Sequence, residues 1–247
     1  MQDSVLHMLL LAPGGVPLSP GARPFYVEFG YSFHPHSNSE YLRHIGWRGI
    51  RFDSENSQQL AGVFKEEITA HNVIDVFRRH NVPPEPDLVS IDIDSCDVWV
   101  FLALTGRSSP YRPRVVQIEY NRHFGFDEDV SLDCRGGGPP WGNSTSWPVR
   151  GFHPVNSNVY GASLRTVARA GALRGYQVVW VERCYDVFLV RDDLICDGDG
   201  LQHGLEHFWN STASPGELRC GDGIEWFAHD VGQALRHRWL VIEPHFV

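Results

Sequence analysis

The sequence lacks the features that mark several large classes of protein. It has no apolar run approaching 18 residues, so we expect no membrane-spanning helix. Its start has neither the basic segment nor the longer apolar segment of a signal peptide, which favours a soluble, cytoplasmic protein. Positive charge is scarce, with 21 Lys and Arg against 30 Asp and Glu and a formal net charge of −9. Because this balance argues against a broad phosphate-binding surface, nucleic acid is not an expected partner.

Cysteine is also scarce and has no metal-binding spacing. The five cysteines, which include no C-x-x-C pair, are Cys96, Cys134, Cys184, Cys196 and Cys220. A disulfide between two of the last three is left open, and Cys96 is expected to be a small buried residue rather than a nucleophile. His34 and His36 flank a proline, but no third ligand is evident. We therefore predict no metal site from these residue types.

Apolar runs and helix-like segments alternate along residues 24–195. The predicted strands are 25–29, 49–53, 63–68, 87–94, 114–120, 177–182 and 186–190, and the predicted helices are 39–45, 72–80, 98–105 and 162–174. Asn38 is the expected N-cap of the first helix. Repeated strand–helix units predict an α/β fold with a doubly wound, mostly parallel seven-stranded sheet, which is a Rossmann-like arrangement. The closely spaced final pair of strands predicts one antiparallel strand at an edge of the sheet.

Composition divides the chain into three parts. Residues 24–195 form the α/β domain, 1–23 an N-terminal extension and 196–247 a C-terminal appendage packed on the domain. Within the domain, residues 122–158 are rich in Gly, Pro, Asp, Asn and Ser and show no clear period. A connection of this length is usually a functional loop or a lid, so we expect one of these roles.

Acidic residues follow several of the predicted strands. Asp92 and Asp94 end the apolar run that begins at Leu88, and burying carboxylates is costly unless they are paired or solvated. Ligands of open α/β sheets bind outside the carboxyl ends of the strands, so we expect these acids at the mouth of a site. Glu28 is the next-to-last residue of the first predicted strand, and Asp53 ends the second. In nucleotide-binding sheets, an acid at the latter position holds the ribose hydroxyls.

Each acid also has an ordinary structural interpretation. Glu28 can cap a helix or pair with an arginine, and Asp53 can hold the turn that starts at its own position. Asp92 and Asp94 can cap the helix predicted to follow them. The segment 119–121, Glu-Tyr-Asn, is harder to explain by packing because two strongly polar residues stand at the end of an apolar run. We favour a functional role for that segment.

Six segments in a fixed order carry a family resemblance. They are residues 26–30, 46–50, 90–94, 113–121, 160–164 and 188–194. Together they resemble the methyltransferase-like proteins related to the FkbM family, most of all a largely uncharacterised eukaryotic branch. The resemblance covers about residues 24–195, roughly two thirds of the chain. It implies a class I methyltransferase sheet that uses S-adenosylmethionine, with strands 1 to 5 parallel and one later strand antiparallel.

The resemblance also implies roles for individual residues. Those it places at the cofactor are Glu28 and Gly30 beside the methionine part, Asp53 at the ribose, Glu67 near the adenine, and Asp92 facing the sulfur. Those it places on the catalytic, substrate side are Asp94, Glu119 and Asn121. The reaction it implies is methyl transfer to an oxygen or nitrogen of a small molecule or glycan, with Asp94 or Glu119 as the general base.

Two alternatives stay open. Methyltransferases of this fold usually have further glycines soon after the first, but here none lies between Gly30 and Gly46. That departure favours a non-catalytic binding module that has kept the fold and lost the cofactor. The segment Asp92-Ile93-Asp94 is formally a D-x-D element, which in a metal-dependent glycosyltransferase holds a cation against a nucleotide-sugar diphosphate.

Overall fold

The computed structural model describes residues 2–18, 21, 23–31, 37–55, 62–122, 124–136, 160–182, 185–195 and 239–240. The strands are β1 (Phe25–Phe29), β2 (Arg48–Asp53), β3 (Val63–Lys65), β4 (Leu88–Ile91), β5 (Val115–Glu119), β6 (Ser131–Leu132), β7 (Tyr176–Val181), β8 (Asp186–Arg191) and β9 (Trp239–Leu240). The helices are α1 (Gln2–Leu10), α2 (Glu40–His44), α3 (Val73–Arg79), α4 (Asp97–Leu104) and α5 (Leu164–Leu173), and a short 3-10 helix spans Asp192–Leu194.

Seven of these strands form one sheet in the order β3-β2-β1-β4-β5-β8-β7. Strands β1 to β5 are parallel, and β8 runs antiparallel to both of its neighbours, β5 and β7. The α/β class and the mostly parallel seven-stranded sheet predicted from the sequence are confirmed. The reversed strand, β8, lies one place in from the β7 edge.

Local sequence explains why the central elements form. All four residues of β4 are buried, as expected for a parallel strand with both faces covered, and Pro86 precedes it. Helix α5 begins where the Ser163 side chain accepts a hydrogen bond from the Thr166 N–H, and it is followed by Gly175, whose φ is +73°. The N-cap of α2 is Ser39, so the prediction of Asn38 at that position is wrong by one residue.

The core lies on both faces of the sheet. One face packs against α3, α4 and α5, and α4 is buried nearly all round. The other face packs against α1, where Leu6 contacts a cluster that includes Tyr26 and Phe188. The segment before residue 24 therefore contributes a helix to the core of the sheet. Among the helices that the structure describes, none has the length and apolar character needed to cross a membrane.

The loop after β5 contains one short strand and one cross-link. Strand β6 lies within residues 122–158, where the sequence shows no clear period, and it pairs with β9. Cys134, just beyond β6, forms a disulfide with Cys96, which is the N-cap residue of α4. Both cysteines are buried, as expected for Cys96, although this pairing was not predicted. The pairing left open among the last three cysteines lies outside the described residues. Disulfides are more typical of oxidising compartments than of the cytosol, and the cytoplasmic location stays a prediction.

Candidate functional site

A row of polar side chains crosses the α1 face of the sheet near the carboxyl ends of its central strands. Glu28 on β1 lies opposite Ser90 on β4, and Ser90 lies opposite Gln117 on β5. All three residues are almost completely buried. Since side chains alternate along a strand, the next residues on this face are Asp92 after β4 and Glu119 at the end of β5. The pairing of the strands thus brings the acids of β4 and β5 to the same edge.

Glu28 is held by the segment that follows β1. One oxygen, Oε1, accepts the backbone N–H of Asn38 at 2.8 Å, and Oε2 accepts the hydroxyl groups of Ser37, at 2.9 Å, and Ser39. Burial raises the pKa of the Glu28 carboxyl, and these three hydrogen bonds together with Arg51 act in the opposite direction. Glu28 therefore serves as the anchor of residues 37–39.

Asn38 connects this anchor to the end of β4. Its side-chain amide donates to the Ser90 hydroxyl at 3.2 Å and to Oδ2 of Asp92 at 3.4 Å. Sequence reasoning assigned Asn38 to a helix cap, because Ser, Asn and Asp before a helix usually cap it. The bridge depends on β1 lying beside β4, which local sequence does not specify.

Three carboxylates meet at the mouth of the site. Asp92, Asp94 and Glu119 each place an oxygen within 4.8 Å of the other two. Asp94 is exposed, whereas Asp92 and Glu119 are half-buried. The inner oxygen of Glu119, Oε2, is buried and has no hydrogen-bond partner among the described residues. The structure thus brings the acids that follow β4 and end β5 together at one point.

The turn between β4 and α4 is held by a fourth acid, Asp97. Its carboxylate accepts the backbone N–H of Ile93 at 2.7 Å and that of Ser95 at 3.1 Å. Asp94, at the centre of this turn, has φ of +55°, a left-handed conformation that is uncommon outside glycine. Asp97 thus caps the turn. The N-cap residue of α4 is Cys96, which makes no side-chain cap hydrogen bond, so Asp92 and Asp94 do not cap this helix.

Burial, and after it repulsion between neighbouring carboxylates, raises the pKa values in this cluster. Burial, followed by the neighbouring carboxylates Asp186 and Asp94, raises the pKa of Asp92 well above its ordinary value. Burial, followed by the charges of Asp92 and the other nearby acids, raises the pKa of Glu119 well above its ordinary value. Burial alone raises the pKa of Asp94. Asp186 accepts a hydrogen bond from the Gln117 amide at 3.0 Å and lies opposite Glu119 in the β5–β8 pairing.

Gly30 follows β1 and contacts the end of β4. Its φ is +72°, and a Cβ at this position would meet the backbone carbonyl of Asp92. The glycine is therefore required where two segments of the chain approach each other closely. Tyr31, the next residue, is buried, with the Arg51 guanidinium 4.5 Å from the centroid of its ring.

The other two residues predicted to bind the cofactor, Asp53 and Glu67, lie at the end of β2 and just after β3. Asp53 ends β2 and accepts the backbone N–H of Glu55 at 2.8 Å, which is the turn role considered for it. Glu67 follows β3 and is exposed, and its backbone carbonyl accepts the Asn72 side chain. Neither belongs to the three-carboxylate group.

Asn121 is buried and acts on the backbone beside the site. Its side-chain amide donates to the Tyr160 carbonyl at 2.8 Å, and its N–H donates to the Ala162 carbonyl at 2.8 Å. These bonds hold the segment before α5 against the end of β5. Asn121 thus positions Tyr160, whose pKa is raised by burial and by Glu119. His34 and His36 lie outside the described residues.

Neither a family model nor a curated protein matches this chain. The likeness of the six segments to FkbM-related methyltransferases therefore stays a prediction.

Proposed function

We propose that this protein is an S-adenosylmethionine-dependent methyltransferase that acts on an oxygen or nitrogen of a small molecule or glycan. The observation that carries the proposal is the position of Asp53, Asp92 and Glu119, which all lie at the carboxyl edge of a doubly wound sheet. This edge is where such sheets bind their ligands. Five parallel strands with one reversed strand agree with the sheet that the family resemblance implies.

The chemistry of these side chains fits the cofactor. S-adenosylmethionine presents a cationic sulfonium, an ammonium group and a ribose diol, and carboxylates are suitable partners for all three. In this proposal Asp53 binds the ribose hydroxyls, Asp92 faces the sulfonium, and the exposed Glu67 approaches the adenine. Glu28 and Gly30 act indirectly, because Glu28 is occupied by residues 37–39 and Gly30 packs on the Asp92 backbone.

On the acceptor side, the protein must orient a hydroxyl or amine and remove its proton. When bound, the cofactor supplies a methyl group that is already activated by its positive charge. Asp94 is exposed, and Glu119 lies beside it, so either can accept the proton. The raised pKa of both carboxyls brings them closer to the working pH, which favours general-base catalysis.

Calorimetric titration with S-adenosylmethionine and S-adenosylhomocysteine tests the proposal. We expect binding to the full chain and at least a roughly tenfold loss, about 1.4 kcal/mol, in Asp53→Ala. The matched control is Asp75→Ala, which removes an exposed carboxylate on α3. An Asp53→Ala variant that binds as tightly as the wild type would contradict the ribose role.

A second candidate is a non-catalytic module with this fold. The buried side chain of Tyr31, directly after Gly30, favours it because a glycine-rich loop would leave that space to the cofactor. In that case neither S-adenosylmethionine nor S-adenosylhomocysteine gives heat at millimolar concentration, and the methyl-transfer proposal fails.

A further inference from the structure

The three-carboxylate group of Asp92, Asp94 and Glu119 has a geometry that calls for a positively charged ligand. Oxygen atoms that share one Mg²⁺, Mn²⁺ or Ca²⁺ ion at about 2.1–2.5 Å lie no more than about 4–5 Å from one another. The three oxygens here lie within 4.8 Å of one another, which is inside that range. They come from the ends of two adjacent parallel strands, β4 and β5.

A second observation, independent of this clustering, points to a ligand. Oε2 of Glu119 is buried and has no hydrogen-bond partner among the residues described. A buried carboxylate oxygen in that state is costly, because it has lost its hydration and has received nothing in exchange. From the described residues, the Asp92 carboxylate accepts one hydrogen bond, a long one of 3.4 Å donated by the Asn38 side chain. Direct coordination to a cation would satisfy both groups.

The surrounding residues hold the group in place. Asp97 holds the turn that carries Asp94 by accepting the N–H groups of Ile93 and Ser95. Asp186 is engaged by Gln117, so it stands behind the cluster as a further negative charge. The carboxylates therefore remain close to one another, although burial and then their mutual repulsion disfavour the charged forms and raise the pKa of Asp92 and Glu119. A bound divalent cation would offset this negative charge and favour the ionised form of the carboxylates.

We propose that Asp92, Asp94 and Glu119 bind one divalent cation of the hard, oxygen-preferring class, Mg²⁺, Mn²⁺ or Ca²⁺. All three ligands are carboxylates, which suit these ions better than Zn²⁺ with its preference for nitrogen and sulfur. Asp94 is exposed, so the remaining coordination positions face solvent and take water or an oxygen of a substrate. The proposal extends beyond methyl transfer and does not depend on it.

The test titrates the metal alone into the full chain after treatment with a chelator. Electron paramagnetic resonance of Mn²⁺ reports the free ion, and we expect one Mn²⁺ bound per chain, displaced by Mg²⁺ or Ca²⁺. Asp94→Asn and Glu119→Gln are each expected to weaken Mn²⁺ binding at least tenfold. Asp75→Asn removes one negative charge from the exposed surface of α3 and is expected to bind Mn²⁺ as the wild type does.

Thermal melting of the same variants distinguishes a loss of metal binding from a loss of folding. Without metal, Glu119→Gln is expected to melt at or above the wild-type temperature, because it removes one of the mutually repelling charges. Added Mn²⁺ is expected to raise the melting temperature of the wild type and of Asp75→Asn, but not that of Glu119→Gln. Absence of binding at millimolar Mn²⁺, or equal binding in Glu119→Gln and Asp75→Asn, would overturn the proposal. Because the assay contains no S-adenosylmethionine, neither outcome bears on the binding of that cofactor.

Discussion

The backbone carbonyl oxygen of Asp92 lies 1.5 Å from the point that a Cβ on Gly30 would occupy. The end of β1 and the end of β4 therefore contact each other through a position where only glycine fits. The contact places the Glu28 anchor beside the three-carboxylate group. It also explains why a glycine follows β1 whether or not a cofactor approaches the backbone there.

Replacement of Gly30 by alanine is expected to cost more than about 3 kcal/mol of unfolding free energy, because a methyl group would overlap backbone and φ is positive. Gly46→Ala is the matched control, since Gly46 has φ of +89° but nothing within 4 Å of its Cβ position. We expect about 1 kcal/mol there, from the conformation alone. Urea unfolding measures both variants, and equal losses would show that the Asp92 contact is unimportant.

Removal of the Glu28 carboxylate is expected to detach residues 37–39. Glu28→Ala leaves the hydroxyl groups of Ser37 and Ser39 and the N–H of Asn38 without their acceptor, at a cost of about 3 kcal/mol or more. Glu28→Gln keeps one acceptor oxygen and the side-chain volume, so its loss should be smaller. Chemical denaturation compares the two variants. If Glu28→Ala is as stable as Glu28→Gln, the anchor role is wrong.

The Cys96–Cys134 disulfide is expected to contribute about 2–4 kcal/mol, because it closes a loop in the unfolded chain with a sequence separation of 38 residues. Reduction of the wild type and the Cys134→Ser substitution should lower the urea midpoint by similar amounts. The double variant Cys96→Ser/Cys134→Ser should be insensitive to reductant in the same assay. Peptide mapping without reductant identifies the bond directly, and a map with free Cys96 would refute it.

The ion pairs of Glu40 predict a change in stability at acidic pH. Arg43, through a hydrogen bond and its charge, and then the buried Arg51 lower the pKa of Glu40 from 4.5 to about 2. Because the folded-state pKa lies below the unfolded value, the stabilisation is complete above pH 4.5 and is lost as the pH falls toward 2. Glu40→Gln should therefore be less stable than the wild type at pH 7 by about 1 kcal/mol.

The control for this prediction is the pH profile itself. The stability difference between Glu40→Gln and the wild type should stay constant above about pH 5 and shrink steadily below pH 4.5. Asp75→Asn, which disrupts an exposed pair with Arg78, should show a much smaller difference throughout. A Glu40 difference that does not change with pH would assign its effect to packing rather than to charge.

Much of the sheet could be predicted from local sequence. The apolar runs that became β1, β4 and β5 are bounded by prolines and polar residues, so their positions and their buried character follow from the chain itself. The prediction that acids gather at the carboxyl edge follows from the same runs, since parallel strands end at the same side. The Asn38 bridge and the Cys96–Cys134 disulfide could not be predicted, because each joins residues whose separation in space depends on the strand order.

The sequence by itself determined which segments are strands and helices and which residues stand at the strand ends. The reason is that hydrophobic periodicity, and the proline, glycine and polar residues that bound each segment, are local properties of the chain. Only the tertiary structure decided that Asp92 and Glu119 converge while Asp53 and Glu67 stay outside their group. The physical reason is the pairing of β4 with β5, which aligns Ile91 with Ile118 and brings the acids that follow to one point. That pairing results from the packing of the whole sheet, which no single segment encodes.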